Sequence, residues 1–496
     1  MFVTILAGAA CFFLARALFV AFRSGIRDIP GPWIARFTPL YRVSLVLKGD
    51  AVREYRRLHE QYGPFVRTGP NAVAIADPKA IPIIYGISSK FRKSDFYKLA
   101  IPYLNDEPLD GIFTARDPAQ HKKLRAPIAG VYSMTNIRNY EKHIDECTEL
   151  FTRTMKQFEG QKIDLAEYFH WFAFDAIGNI TFQRRFGFID QTQQGFDAFR
   201  PDDFVGQYFS IIGQLPWLDR FLFGNRPLVN AMMRRYPDVP NSLNTVMSVI
   251  DREIQRYDEE DKDATRTDFL AQLRKKDNPE AVHFKRDLMN HLSNNMLAGA
   301  DTISVALGAI FYYIVRHDMV KNKLMKELED ASERGELSDL ITYEESLKLP
   351  YLQAVIKESL RMHPSLCMPL ERVAPPEGAT VCGVVLPPGT IVGVMAPIVN
   401  RAKGVFGEDA DSFRPERWLE ADAEHLKVMD RTFFSFGHGT RSCIGKNIAM
   451  LEMGKFVPQI LRTFDIEWAS PTQDWTVKTY WFHRQRNLFF KFTCRK

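Results

Sequence analysis

The 496-residue sequence has no internal repeat, no low-complexity tract and no interior stretch that reads as a flexible linker. Solenoids, fibrous assemblies and strings of small domains are excluded; one large body with a subsidiary lobe and two domains both remain open. Cysteine pairs at metal-finger spacing are lacking too, because Cys11, Cys147, Cys367, Cys382, Cys443 and Cys494 are scattered singly. A chain this long builds its core without disulfide staples, so these read as reduced thiols of a cytosol-facing protein. Nor is there strong charge of one sign: the net charge is +5 and no basic run is interleaved with aromatics. Nucleic acid is not expected as a partner. What is abundant is phenylalanine, 38 residues in a chain that is otherwise ordinary, with 46% hydrophobic and 25% charged residues. The surplus points to large aromatic-lined interior spaces and to a roomy apolar pocket.

A long apolar run opens the chain. Phe2 to Phe22 is apolar apart from Arg16, Thr4 and small residues, and about 20 residues span a bilayer as a helix. Arg16 costs roughly 3 kcal/mol on insertion, while each Phe, Leu, Ile or Val returns about 0.3 to 0.6 kcal/mol, so insertion wins narrowly. A cleaved signal peptide competes, since Ala15-Arg16-Ala17 has a small-x-small look, but no basic residue precedes the run. Arg23, Arg27 and Arg36 follow it and orient the body toward the cytosol. The expected organisation is a transmembrane anchor at 1–22, a basic hinge with Pro30-Gly31-Pro32 at 23–36, and a catalytic body at 37–496.

Along the body, Phe65 to Thr68 and Ala72 to Ala76 are β-like runs around Gly69-Pro70-Asn71, and Thr380 to Val385 and Thr390 to Val394 flank Pro387-Pro388-Gly389. Helical periodicity covers Ile137 to Phe158, Leu243 to Tyr257, Phe269 to Lys275, Phe284 to Arg316 and Tyr351 to Met362. Asp251 to Arg286 is densely charged in both signs and reads as solvated surface. The fold class is mainly α with a small β lobe.

Glycines on both sides of one cysteine mark the segment Phe436-Gly437-His438-Gly439-Thr440-Arg441-Ser442-Cys443-Ile444-Gly445, and a helical pattern runs on from Lys446 to Leu461. They permit a tight loop that opens a helix. Backbone N–H groups and a helix N-terminus lower a thiol's pKa and hold the thiolate that an iron ligand must be. A cysteine taken alone is most often a small buried hydrophobe. This segment, however, resembles the cytochrome P-450 signature Phe-x-x-Gly-x-Arg-x-Cys-x-Gly at Phe436, Gly439, Arg441, Cys443 and Gly445. The resemblance implies the cytochrome P-450 fold, haem b as cofactor and Cys443 as the axial ligand to its iron.

The resemblance extends over nearly the whole chain. Glu358 and Arg361 match the family's Glu-x-x-Arg helix, which implies a lock with Arg417 that supports the cysteine loop. The family's Trp-x-x-x-Arg for haem propionates corresponds to His121 and Arg125, with His replacing Trp and keeping an N–H donor. Arg372 and Arg441 stand at further propionate positions, and Phe436 lies beside the haem. Ala298-Gly299-Ala300-Asp301-Thr302 matches the family's oxygen-activating helix, which implies widening of that helix and a proton relay through Asp301 and Thr302. Ile303 departs from the pattern, where Thr or Ser is usual, and puts a second hydroxyl in doubt. A threonine in a helix otherwise bonds to its own backbone.

Substrate contacts implied by the family fall on Phe113, Leu297, Ala298, Leu366, Met368, Trp481 and Phe482, with Phe96, Tyr97, Leu109, Ile112 and Pro369 beside them. Being apolar, they predict an apolar small-molecule substrate. The resemblance further implies O2 as co-substrate, electrons from NADPH through a membrane-bound flavoprotein reductase, and single-pass attachment to endoplasmic reticulum lipid. Lys122, Lys123 and Lys446 offer a docking face for an acidic reductase, against the alternative of ordinary surface lysines. Ile29 to Tyr41 and Tyr62 to Arg67 resemble filamentous-fungal members of the pisatin-demethylase-like type, many of which tailor secondary metabolites. Two other classes stay in view: a haem-thiolate isomerase or dehydratase that works without a reductase, and a non-catalytic haem sensor.

Overall fold

Helices carry most of the chain in the computed structural model, which describes residues 25–495 except 105, 191–203, 237–241, 261–264 and 277–283, together with Thr4, Gly8, Ala15, Arg16 and residues 18–23. Six helices position the site: α1 (Pro118–Ile128), α2 (Glu141–Gln157), α3 (Leu165–Phe182), α4 (Phe284–Arg316), α5 (Pro350–Met362) and α6 (Lys446–Thr463). α5 begins one residue earlier than its apolar pattern because Pro350 suits a first helical turn. α2 begins later than Ile137, since a 3-10 turn at Arg138–Tyr140 precedes it.

The periodicity does not reveal α3. Asp164 caps its start by accepting from the Ala166 N–H at 3.0 Å, and Gln183 ends it in the left-handed region at φ 52°. Between these ends almost every side chain is buried, so no polar stripe alternates with an apolar one. α3 packs along α4 so closely that a Cβ on Gly299 would lie 2.8 Å from Ile177 Cγ1. Phenylalanines close this core. Phe456 of α6 meets Phe172 of α3 at 4.1 Å and Phe151 of α2 at 4.9 Å between ring centres, and Phe169 stacks on Phe311 at 5.1 Å. Much of the phenylalanine surplus therefore fills solid core rather than lining open space.

Besides a short antiparallel pair of Tyr103–Leu104 with Glu107–Pro108, the strands are β1 (Phe65–Gly69), β2 (Ala72–Ile75), β3 (Arg92–Lys93), β4 (Lys162–Asp164), β5 (Arg372–Val373), β6 (Ala379–Val381), β7 (Val384–Leu386), β8 (Ile391–Val394), β9 (Phe464–Trp468), β10 (Thr476–Thr479), β11 (His483–Arg486) and β12 (Phe489–Cys494). β1 and β2 form the expected hairpin. β8 adds to β2 in parallel, and β5 and then β3 continue the sheet antiparallel. The expected run from Thr380 to Val385 is instead a hairpin. Cys382 (φ 48°) and Gly383 (φ 82°) form a two-residue turn between β6 and β7, and both carry the positive φ such a turn demands. Strands also occur outside the two regions anticipated: β12 pairs with both β9 and β4, and β10 with β11.

Two further expectations need correction. Within the charged stretch, Arg266 and Asp268 are buried and joined at 2.7 Å, so the segment is not wholly solvated; residues 261–264 and 277–283 lie outside the described set. The expected anchor at 1–22 also lies largely outside it. The one described helix long and apolar enough to cross a membrane is α4, and 78% of its apolar window is buried in the body. That burial marks a core helix. The chain before and within the expected hinge is fixed to the body: Arg67, which also donates to the Pro70 carbonyl (2.7 Å), donates to the carbonyls of Ala21 (2.7 Å) and Val20 (3.0 Å), and its backbone N–H to Pro30 (2.7 Å).

Candidate active site

The cysteine loop is built by backbone geometry. Gly437 (φ 68°) and Gly439 (φ 65°) take conformations that side chains disfavour, and Gly439 lies against the Tyr85 carbonyl where a Cβ would not fit. Cys443 N–H donates to the Phe436 carbonyl at 2.8 Å, which closes the turn before α6. Arg441 donates to the Ala115 carbonyl at 2.6 Å, and Arg125 of α1 donates to the Ser442 carbonyl at 2.8 Å. The loop and α1 therefore hold each other.

Cys443 keeps accessible surface, yet burial is the leading influence on its thiol and pushes the pKa up. The backbone N–H of Gly445, the Arg125 guanidinium and the Lys446 N–H all act in the opposite direction but do not prevail. The expectation that the loop lowers the thiol pKa is therefore not met by the protein alone, because desolvation outweighs the loop's N–H groups; a bound iron would favour the thiolate. Among the described residues, no cluster of three or more His, Cys, Asp or Glu side chains forms a metal site.

The expected lock forms. Glu358 accepts from Arg361 Nε at 2.8 Å and Nη2 at 2.7 Å, from Arg417 Nε at 2.9 Å and from Trp418 Nε1 at 2.9 Å, all buried. Sequence reasoning missed the residue that carries this lock to the loop. Asn400, fully buried, accepts from the Phe434 N–H at 2.8 Å and donates to Ser435 Oγ at 2.9 Å and to the Arg361 carbonyl at 3.3 Å. Ser435 in turn donates to the Leu360 carbonyl at 2.8 Å. A lone Asn outside any motif gives no signal in a single sequence.

His121, Arg125, Arg372 and Arg441 are brought into one electrostatic cluster. The His121 imidazole is pushed down to about 3, first by burial and then by Arg441, Lys93, Arg125 and Arg372. It is therefore neutral near pH 7 and offers an N–H without adding another cation. Among the described residues no carboxylate forms an ion pair with Arg125, Arg372 or Arg441. Cations gathered without counter-charge are what two propionates require. With one accessible sulfur, this donor set fits haem.

On α4, Leu297, Ala298, Asp301 and Thr302 retain accessible surface on one helical face. α4 is an unbroken α-helix there, and Gly299 serves contact with Ile177 rather than the implied widening. Thr302 Oγ1 donates to the Ala298 carbonyl at 2.8 Å, the ordinary bond of a helical threonine. Its hydrogen is thus committed, and the oxygen presents an acceptor to the open side. The Asp301 carboxylate accepts from Arg484 of β11 at 2.6 Å and faces His170 Nδ1 of α3 at 3.6 Å. Ile303 is buried in the core, so a hydroxyl at that position would not face the open side.

Of the expected substrate residues, Phe113, Leu297, Ala298, Leu366 and Phe482 keep accessible surface, while Met368 and Trp481 are buried behind them. Trp481 packs on Phe96 at 5.3 Å and on Phe113 at 5.9 Å between ring centres, and Leu366 bridges to Phe482. Leu109 belongs to the helical core instead.

A family model described as Cytochrome P-450 matches residues 30–487. A cytochrome P-450 monooxygenase of Aspergillus terreus is 38% identical over 450 residues, which covers 89% of this chain and 90% of that protein. The cytochrome P-450 monooxygenase cicH of Emericella nidulans is 33% identical over 487 residues, 97% of each chain. The cytochrome P-450 monooxygenase mpaDE of Penicillium roqueforti is 37% identical over 483 residues, and this chain spans about half, 54%, of that longer protein.

Proposed function

The chain belongs to the cytochrome P-450 family and is a haem monooxygenase, and from that premise we propose that it oxidises an apolar small molecule in fungal secondary metabolism, with electrons from NADPH through a flavoprotein reductase. The observation that carries the reading is that Cys443 keeps accessible surface near Arg125, and that among the described residues no carboxylate forms an ion pair with Arg125, Arg372 or Arg441. Bound haem supplies the activation of O2 and the transfer of one of its oxygen atoms to the substrate.

The residues divide the remaining work. Cys443 would hold the iron, and Arg372, Arg441, Arg125 and the neutral His121 would hold the propionates. Leu297, Ala298, Phe113, Leu366 and Phe482 bind the substrate and exclude water from its reacting carbon. Thr302 presents its oxygen as a hydrogen-bond acceptor, and Asp301, oriented by Arg484, stands one residue away to pass protons from outside.

Lys122, Lys123 and Lys446 are exposed around the loop and α1, which suits an acidic reductase surface. Membrane attachment is supported by a second feature besides the N-terminal apolar run. Trp33, Ile34, Leu40, Leu47, Trp217 and Phe221 are exposed on segments that adjoin one another, an apolar surface unusual for a protein surrounded by water. The organisms of the relatives support the secondary-metabolite reading.

Membranes carrying the protein and a fungal reductase, supplied with NADPH, isotopically labelled O2 and a library of fungal metabolites, test this reading. One labelled oxygen per product is expected. An unlabelled rearrangement product formed without NADPH overturns it in favour of an isomerase.

A further inference from the structure

The accessible face of α4 runs on past Ala298 toward the start of the helix. Asn294 stands one helical turn before Ala298 and two before Thr302, about 12 Å along the axis from the latter and on the same side. Like them it keeps accessible surface, whereas Leu292, Ser293, Asn295 and Met296 around it are buried. Between Asn294 and Asp301 the open residues of this face are Leu297 and Ala298, both apolar.

The Asn294 amide can point only one way. Its Nδ2 donates to the Asn290 carbonyl at 2.7 Å and to Asn290 Oδ1 at 2.8 Å, which uses both hydrogens. A flipped amide would set an oxygen against two oxygens. Asn290 is buried and is itself held, donating to the Asp110 carbonyl at 2.9 Å. The loop closes on the pair so tightly that a Cβ on Gly111 would lie 2.5 Å from Asn294 Nδ2 and 3.0 Å from its Oδ1. The same loop then carries Phe113 to Trp481 in the substrate wall. Asn294 Oδ1 is thus an acceptor fixed in place; among the described residues no donor reaches it, and it is open rather than sealed in the core.

An uncharged acceptor at the far end of an apolar face selects a neutral donor. Carbonyl and carboxylate oxygens would meet its lone pairs, and an ammonium would surrender its hydration for a single amide oxygen. A hydroxyl exchanges one water for one amide and loses little. We infer that Asn294 is a specificity-determining residue: its Oδ1 accepts from a hydroxyl on an otherwise apolar substrate, at the end of that molecule remote from the carbon oxidised beside Thr302. The inference rests on the monooxygenase reading above for where that carbon lies.

Isothermal calorimetry on the full-length holoprotein tests it with two probes, 4-hexylphenol and its methyl ether, of which only the first has a donor. The wild type should bind the phenol roughly fivefold or more tightly than the ether, as one hydrogen bond to an otherwise unanswered acceptor requires. Asn294→Leu should bring the two affinities within about twofold of each other. Equal affinities in the wild type overturn the proposal, as does a preference that Asn294→Leu leaves intact. Tighter binding of 4-hexylbenzylamine than of the phenol would show that the site seeks a cation and also overturns it. Should Asn294→Leu fail to fold, Gly111→Ala takes its place: the added Cβ displaces the amide and should at least halve the preference, and an unchanged preference overturns the proposal. Calorimetry reads this site whatever the iron ligand is. A thiolate-type carbon monoxide spectrum without the phenol preference would sink this inference alone, and the preference without that spectrum would sink the haem-thiolate reading alone.

Discussion

Removing the Asn400 side chain tests whether the buried lock supports the cysteine loop. Asn400→Ala deletes three hydrogen bonds, from the Phe434 N–H and to Ser435 Oγ and the Arg361 carbonyl. Each such bond contributes about 1 kcal/mol net, and a buried donor left without a partner costs about 1 to 3 kcal/mol. Phe434 is buried, so its N–H is stranded; the expected loss is roughly 3 to 4 kcal/mol. Ser435→Ala removes both the bond to the Leu360 carbonyl and the one accepted from Asn400 Nδ2, and should cost about 2 kcal/mol. Because Asn400 and Ser435 share a bond, the double variant should lose less than the sum. Urea titrations followed by backbone circular dichroism and by Soret absorbance supply both readings. Soret loss should precede backbone unfolding in Asn400→Ala, since the loop loosens first. A variant within about 1 kcal/mol of wild type on both probes would refute transmission from Glu358 to the loop through this network.

Thr302→Ala should leave substrate binding nearly unchanged while product per NADPH falls severalfold and hydrogen peroxide rises; unchanged coupling would show that water or substrate supplies the proton route. Reversing Lys122, Lys123 and Lys446 to Glu should slow reduction by the flavoprotein more at low salt than at high salt, because exposed docking charges are screened within about 10 Å at 0.1 M salt; equal slowing at both would point to a damaged fold. Deleting residues 1–17 should move the protein from the membrane fraction toward the soluble one with haem retained. A cut at Asp28 should destabilise it as well, since it removes Ala21 and its carbonyl bond to Arg67; indistinguishable stability of the two truncations would contradict that contact.

What was legible in the sequence was local. The loop around Cys443, the Glu358–Arg361 pair and the long helix α4 each announce themselves within a few residues of chain, through fixed spacing or sustained periodicity. What was hidden depends on partners far apart: Arg484 lies 183 residues from Asp301, and Asn400 lies 39 from Arg361. α3 was missed because a helix buried on all sides loses the alternation that betrays helices. The hairpin β6–β7 was missed because Cys382 is a rare occupant of a left-handed turn position. The direction of the Cys443 shift was misjudged for a related reason: the loop's N–H groups are visible in sequence, whereas the burial that outweighs them is not.

The central claim is that Cys443 gives haem iron its thiolate, and the reduced carbon monoxide difference spectrum reads that bond directly. Cys443→Ser and Cys443→His should both lose the thiolate-type Soret band while the wild type shows it, because neither substitute supplies an anionic sulfur. A thiolate-type band that survives in either variant would contradict the account.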